Sequence, residues 1–305
     1  MTLYTAARHR AAETRPHVTT TVRVRPPKGN AGRRNRPVNV AAGIAASFWL
    51  VIVAVPLYYI ALTSLRTSDS YLTDGALVPP GNLTLDNYRQ VLDLGFDTFI
   101  VNSTIVTVIT MVLVLAMALP AAYAIVFGGT RAVRATFNTF LLGLAIPAQA
   151  VIIPIYLLIT RLHLYDSLTA IILPTAAFSL PMAIVVLTST LRDIPRDLFD
   201  AMTVDGAGTV ELFRRLVLPL SRPGLVSVGI FSGLNAWNGF IFPLVLTQSE
   251  ARRVIPLGLW NFQSRFGTDV PGLLAAVVLS TVPVLALYLF GRRQLLRSLS
   301  AGYRR

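Results

Sequence analysis

The residues with the densest chemical character lie in one run. Asp200–Ala201–Met202 is followed by Asp205–Gly206–Ala207–Gly208 and then by Leu216–Val217–Leu218–Pro219, between long apolar segments. A charged run in such surroundings must meet the water phase. Pro195 near the first turn, with Asp197 and Asp200 close behind, suits a helix start. Leu198, Ala201 and Met202 recur at i, i+3 and i+4, which predicts one helix face. Gly206 suits a left-handed turn. A second helix follows, with Leu212, Phe213, Leu216 and Val217 on one side and Arg214 and Arg215 turned away. Pro219 and Pro223 mark the return to apolar sequence. The product is a helix–turn–helix short enough to enter a cleft in another protein. An amphipathic helix lying on lipid would carry the same pattern.

Other chemistries lack their residues. There is no cysteine, and the histidines His9, His17 and His163 are scattered, so neither a disulfide framework nor a metal site is expected. Lys28 is the only lysine, and no glycine-rich phosphate loop ends in it. The chain is therefore not expected to hydrolyse ATP by itself, and no catalytic residue is assigned. Ser103, Ser179 and Ser232 fall in apolar windows that contain no histidine to activate them.

The elements that position the polar run follow from charge segregation. The 305 residues are 54% hydrophobic and 13% charged, against about a quarter charged in soluble domains. Six windows free of Asp, Glu, Lys and Arg cover 37–65, 98–130, 135–160, 167–191, 223–249 and 270–291. Each reaches the ~20 residues a helix needs to cross the hydrocarbon core. Backbone polar groups in lipid are satisfied within a helix. The expected fold is an all-α membrane protein with six transmembrane helices. Of the basic residues, 21 lie in the two tails and in the loops after spans two and four, and 6 in the other loops. By the positive-inside rule both termini are cytoplasmic. The net charge of +13 then reflects topology and anionic lipid headgroups, not nucleic acid. None of the six windows holds an ionisable midplane residue of the kind ion-driven carriers use.

Residues 1–36 are basic and threonine-rich and are expected to form a disordered cytoplasmic tail, with 37–305 as the transmembrane domain. Loops 66–97 and 250–269 form the outer surface. The first holds a short amphipathic piece at 85–92, and the second places Trp260 at the headgroup region. Prolines recur within the windows and can kink their helices.

The run at 200–219 resembles the signature loop of ATP-binding cassette (ABC) importer permeases. That loop has the pattern Glu-Ala-Ala, three residues, Gly, nine residues, Ile-x-Leu-Pro. Asp200–Ala201–Met202 stands at the first triplet, Gly206 follows after three residues, and Leu216–Val217–Leu218–Pro219 after nine more. The resemblance extends from about Asn87 to Gly302. Asn87–Tyr88, Asn102–Ser103, Ala121–Ala122–Tyr123–Ala124, Ile153–Pro154–Ile155–Tyr156 and Leu180–Pro181 fit it. Trp237–Asn238 and Ile255–Pro256–Leu257–Gly258–Leu259 point to the carbohydrate-importing branch, specifically its six-span, maltose-type second subunit. Asp200 and Met202 replace the usual Glu and Ala, Gly239 stands where Glu is common, and the C-terminal ending differs from the family's.

The resemblance implies a bacterial plasma-membrane, multi-pass permease subunit with a cytoplasmic coupling helix between spans four and five. Its partners would be an ABC ATPase dimer, a second homologous permease, an extracytoplasmic solute-binding protein, the bilayer and a sugar. ATP and Mg would bind in the partner ATPase, and no cofactor in this chain. Coupling to the ATPase would fall to Asp200, Ala201, Met202, Asp205, Gly206, Ala207, Leu212, Phe213, Leu216 and Pro219. Of these, Asp200 would make the charged contact and Ala201 and Ala207 would permit close docking. Asn102, Tyr123, Gln149, Asn235 and Asn238 are the candidate pore-lining residues, because uncharged polar groups suit sugar hydroxyls. Interhelical hydrogen bonding is the competing role for each. The alternative functions are import of another solute (a polyol, glycerol phosphate or peptide) and an ion-coupled carrier.

Overall fold

The computed structural model describes residues 40–75, 77–264 and 267–301. The tail expected at 1–36 lies outside the described residues. The chain divides into two units, 1–50 and 51–305. The described part of the first unit, residues 40–50, is exposed helix.

In order, the helices are α1 (Val40–Thr63), α2 (Ser68–Thr73), α3 (Asp86–Asp93), α4 (Phe96–Phe127), α5 (Arg131–Gly143), α6 (Ile152–Arg161) and α7 (Leu168–Arg192). Then follow α8 (Arg196–Val204), α9 (Thr209–Leu212), α10 (Leu218–Leu220), α11 (Arg222–Trp237), α12 (Ile241–Leu246), α13 (Ile255–Gly258) and α14 (Val270–Ala301). The strands among the described residues are two-residue pieces, β1 (Gln263–Ser264) and β2 (Gly267–Thr268), paired antiparallel. The all-α expectation stands.

Uncharged length translates into unbroken helix only in part. α1, α4 and α7 are long and apolar enough to cross a membrane. The window 135–160 is instead broken: α5 and the segment Ala148–Arg161 meet at 97°. Pro147 sits at the break with φ −70° and ψ 135°, where it offers no N–H and pushes the preceding residue out of the helical region. The window 223–249 divides into α11 and α12, and α11 is bent by 71° from the segment Thr209–Leu220 before it. Length and composition thus give three spanning helices, or up to five if each bent pair is one span. The apolar part of α14, Val270–Ala286, is shorter.

Within the second unit the core is built where α4, α7 and α11 pack on one another. Ala118 and Ala122 of α4 and Ala176 and Ala183 of α7 are buried among Val114, Ile184, Leu187 and Val228. Small side chains let backbones approach, which is how helices associate without a hydrophobic drive from water. Gly224 of α11 serves the same close approach to α7: a Cβ there would come within 2.7 Å of the Thr190 hydroxyl and 3.1 Å of its Cβ.

The N-terminal end of α4 holds the segment at 251–255. Asn102 Nδ2 donates to the carbonyls of Ala251 (2.9 Å) and Arg253 (2.8 Å), and Ile255 N–H donates to Ser103 Oγ (2.8 Å). The predicted piece at 85–92 is α3, whose Asn87 is buried and donates to the carbonyls of Ser64 and Arg66. Arg66, counted by sequence among the outer-loop basic residues, is fully buried and donates to the carbonyls of Gly75 and Val78. It serves as the post around which its loop folds.

Candidate functional site

The polar run folds as a two-helix hook. Pro195 caps α8, and Asp197 stands in its first turn. The helix ends in a paired turn: Gly206 N–H donates to the Thr203 carbonyl (3.0 Å) and Ala207 N–H to the Met202 carbonyl (2.9 Å). This satisfies two orphan carbonyls and requires a left-handed residue between them. Gly206 has φ +86°, as the sequence predicts.

Leu198, Ala201 and Met202 share a face of α8 by sequence, and the structure shows which of its side chains are covered. Leu198 is exposed and Phe199 is buried, with Met202 partly so. The core-facing pair is therefore Phe199 and Met202, at i and i+3. Periodicity alone fits Leu198, Ala201 and Met202 as well as it fits Phe199 and Met202. What decides between the two faces is Phe127, whose ring lies 4.2 Å from that of Phe199. Asp200, Ala201, Asp205 and Gly206 face outward, as do Val204 and Val210, which are among the most exposed large apolar residues described. Sequence reasoning missed these two valines. Two β-branched apolar residues within a polar run were the available signal.

The return limb contains a local widening. α9 passes into a π-helical turn, Phe213–Val217, before α10. The turn buries Leu216 and Val217 while Arg214 and Arg215 stay exposed, with Arg215 paired to Glu211 at 2.8 Å. Leu212 and Phe213 are partly buried against the same core, and Pro219 opens α10. Turns of this kind frequently mark functional sites.

Four aromatic rings tie both limbs to α4. Tyr123 packs on Phe127 (5.1 Å) and edge-on to Phe213 (5.7 Å), and Phe127 packs on Phe199. Ser103 and Tyr123 are separated by about 30 Å along α4 at 1.5 Å per residue, close to the hydrocarbon thickness of a bilayer. The hook and the segment at 251–255 therefore sit at opposite ends of one helix.

The structure does not bring the five polar window residues together as a set. Asn102 holds the segment at 251–253, and Tyr123 belongs to the aromatic cluster under the hook. Gln149 lies exposed in the turn between α5 and α6. Asn235 donates from α11 to Ser179 Oγ of α7 (3.2 Å), and Asn238 donates to the Leu234 carbonyl of its own helix (2.9 Å). No group of His, Asp or Glu that could hold a metal ion occurs among the described residues.

Comparison with known proteins decides the family. Residues 44–301 match the profile of the binding-protein-dependent transport system inner membrane component. The chain belongs to this family. It is 38% identical over 259 residues to a putative ABC transporter permease of a Caldicellulosiruptor species, covering 85% of this chain and 94% of that one. A trehalose transport system permease of Mycobacterium tuberculosis is 31% identical, covering 84% and 97%. An arabinooligosaccharide transport system permease of Halalkalibacterium halodurans is 30% identical, covering 85% and 94%. Among solved structures, a chain of a bacterial alginate-importing ABC transporter superposes with a TM-score of 0.71 at 20% identity, over 86% of this chain and 97% of that one. The fold is that of an ABC importer permease. The protein is thus a multi-pass inner-membrane transport component.

Proposed function

We propose that this permease is the six-span second subunit of an ATP-driven importer of a sugar or oligosaccharide. The observation that carries the coupling reading is the hook itself, an exposed tip of Asp200, Ala201, Val204, Gly206 and Val210 anchored by rings to α4. A cleft in a nucleotide-binding partner would take such a tip, with the valines supplying apolar contact and Asp200 a charged one. ATP and Mg would be bound there. The permease acts as a lever: closure of an ATPase dimer draws the hook inward, and Phe199 and Phe213 pass the movement to Tyr123 and Phe127. Only a partner that binds the two permease conformations with different free energy can shift between them. Both termini and the hook lie on the cytoplasmic side, while the segment at 251–255 meets a solute-binding protein. A second, homologous permease completes the pore. Relatives named for trehalose and arabinooligosaccharide transport support a carbohydrate substrate.

The test is purification from native membranes in mild detergent, comparing the natural chain with Gly206→Trp. An L-residue held left-handed costs ~1–2 kcal/mol, and a large side chain at the tip blocks the cleft. The reading expects an ATPase, a second permease and a binding protein with the natural chain, and at least tenfold less ATPase with the variant. Equal recovery of the ATPase in both would refute docking through the tip.

A further inference from the structure

At the end of the bundle remote from the hook, a cavity of about 410 Å³ is lined by Leu244, Thr247, Gln248, Arg253, Leu257 and Trp260. We infer that this cavity is a saccharide subsite at the outer mouth of the permease, an inference that rests on the importer reading above. Its size lies within the ~300–1,000 Å³ of small-molecule sites. Its walls combine the elements a sugar ring needs. Trp260 is 52% exposed and offers an indole as a platform for the apolar face of a pyranose. Phe240 holds that indole edge-on at 5.5 Å, so the platform is braced. Gln248 brings both a donor and an acceptor for hydroxyls, and Arg253 brings a planar set of donors.

These polar groups are preorganised by their surroundings. The Arg253 carbonyl is held by Asn102, and its guanidinium lies 3.4 Å from the Glu250 carboxylate. The backbone N–H groups of Gln248 and Ser249 donate to Asp166 Oδ1 at 2.9 and 3.0 Å, and Ser249 Oγ to the same oxygen at 3.1 Å. Ordering costs are thereby met before a ligand arrives. Among the described lining residues Arg253 is the charged one, and its pairing with Glu250 balances that charge, so the lining suits a neutral hydroxylated ligand. Placement at the remote end would let a sugar released by a binding protein dwell on the permease before entering the pore.

The experiment is a fluorescence titration of the purified full chain in lipid nanodiscs with trehalose, diacetylchitobiose and an arabinooligosaccharide. Trp49 and Trp237 are the other two tryptophans and remain in a Trp260→Phe variant. At least one saccharide is expected to give a saturable change that is lost in Trp260→Phe, with helix content by circular dichroism unchanged. Gln248→Ala should weaken that binding roughly three- to tenfold, the worth of one hydrogen bond. No saturable response to any of the three, or an undiminished response in Trp260→Phe, overturns the subsite. Recovery of the ATPase alongside a silent titration removes the subsite and leaves the importer reading standing. A saturable titration in a chain that recovers no ATPase supports the subsite and removes that reading.

Discussion

At the residue scale, two left-handed positions carry different chemistry. Gly206 needs its φ of +86° because the turn ending α8 closes only around such a residue. Asp166 has φ +58° although it bears a side chain, and its carboxylate explains why. The N–H groups of Gln248 and Ser249 stabilise its charged form and hold its pKa below the usual carboxylate value. Because the folded pKa is the lower one, the clamp contributes fully above the unfolded value of ~3.9. Its contribution fades as pH falls through the folded value. Asp166→Asn keeps an acceptor oxygen and tolerance of left-handed backbone, so it should retain the clamp and lose its dependence on acid pH. Asp166→Ala should lose both. Hydrogen exchange at the Gln248 and Ser249 amides checks this, with at least tenfold faster exchange expected in the alanine variant alone. Gly206 was legible from its spacing in the polar run. Asp166 was not, since its partners lie more than 80 positions away.

Elements were legible where pattern alone sets them and lost where contacts do. The uncharged windows around α4 and α7 became helices because backbone in lipid has few alternatives. The bend between α5 and α6 has a proline at its centre, yet prolines elsewhere, such as Pro120 in α4 and Pro174 in α7, stay within continuous helix. Proline alone therefore does not announce a break. The π turn at Phe213–Val217 was invisible because it serves ring contacts made across the fold. Phe199 joins α8 to that cluster, and removing a buried aromatic typically costs ~3–5 kcal/mol. Phe199→Ala should free α8 from α4, leaving the chain folded with α8 amides exchanging at least tenfold faster. Undiminished protection of α8 would show that the rings do not anchor it. At the other end of α4, a Cβ on Gly258 would fall 2.3 Å from a carbon of the Phe99 ring. Gly258→Ala should lift α13 and expose the Ile255 amide that Ser103 accepts, read by the same exchange experiment.

For the whole molecule, the two contact ends lie about one membrane thickness apart along α4, so labelling at each end tests the orientation that the arginine distribution predicts. Leu83 is exposed in the loop before α3 and Asp200 at the hook. The natural chain has no cysteine, so single-cysteine variants report without background. Leu83→Cys should react with a membrane-impermeant maleimide from outside intact cells, and Asp200→Cys only after permeabilisation. The reverse pattern would invert the topology. The family was legible because its signature lies in one contiguous run. The pore was not, because the five polar candidates are scattered within this chain, each engaged or placed apart from the others.

The central claim is that the hook engages a nucleotide-binding partner. The most direct measurement is cross-linking from Asp200→Cys and Val204→Cys in native membranes with a short thiol–amine reagent, the adducts being identified by mass spectrometry and Leu83→Cys serving as control. Adducts to an ABC ATPase from both hook positions, and none from Leu83→Cys, are the predicted result. Hook positions that label freely yet join no ATPase, or join lipid alone, would contradict the account.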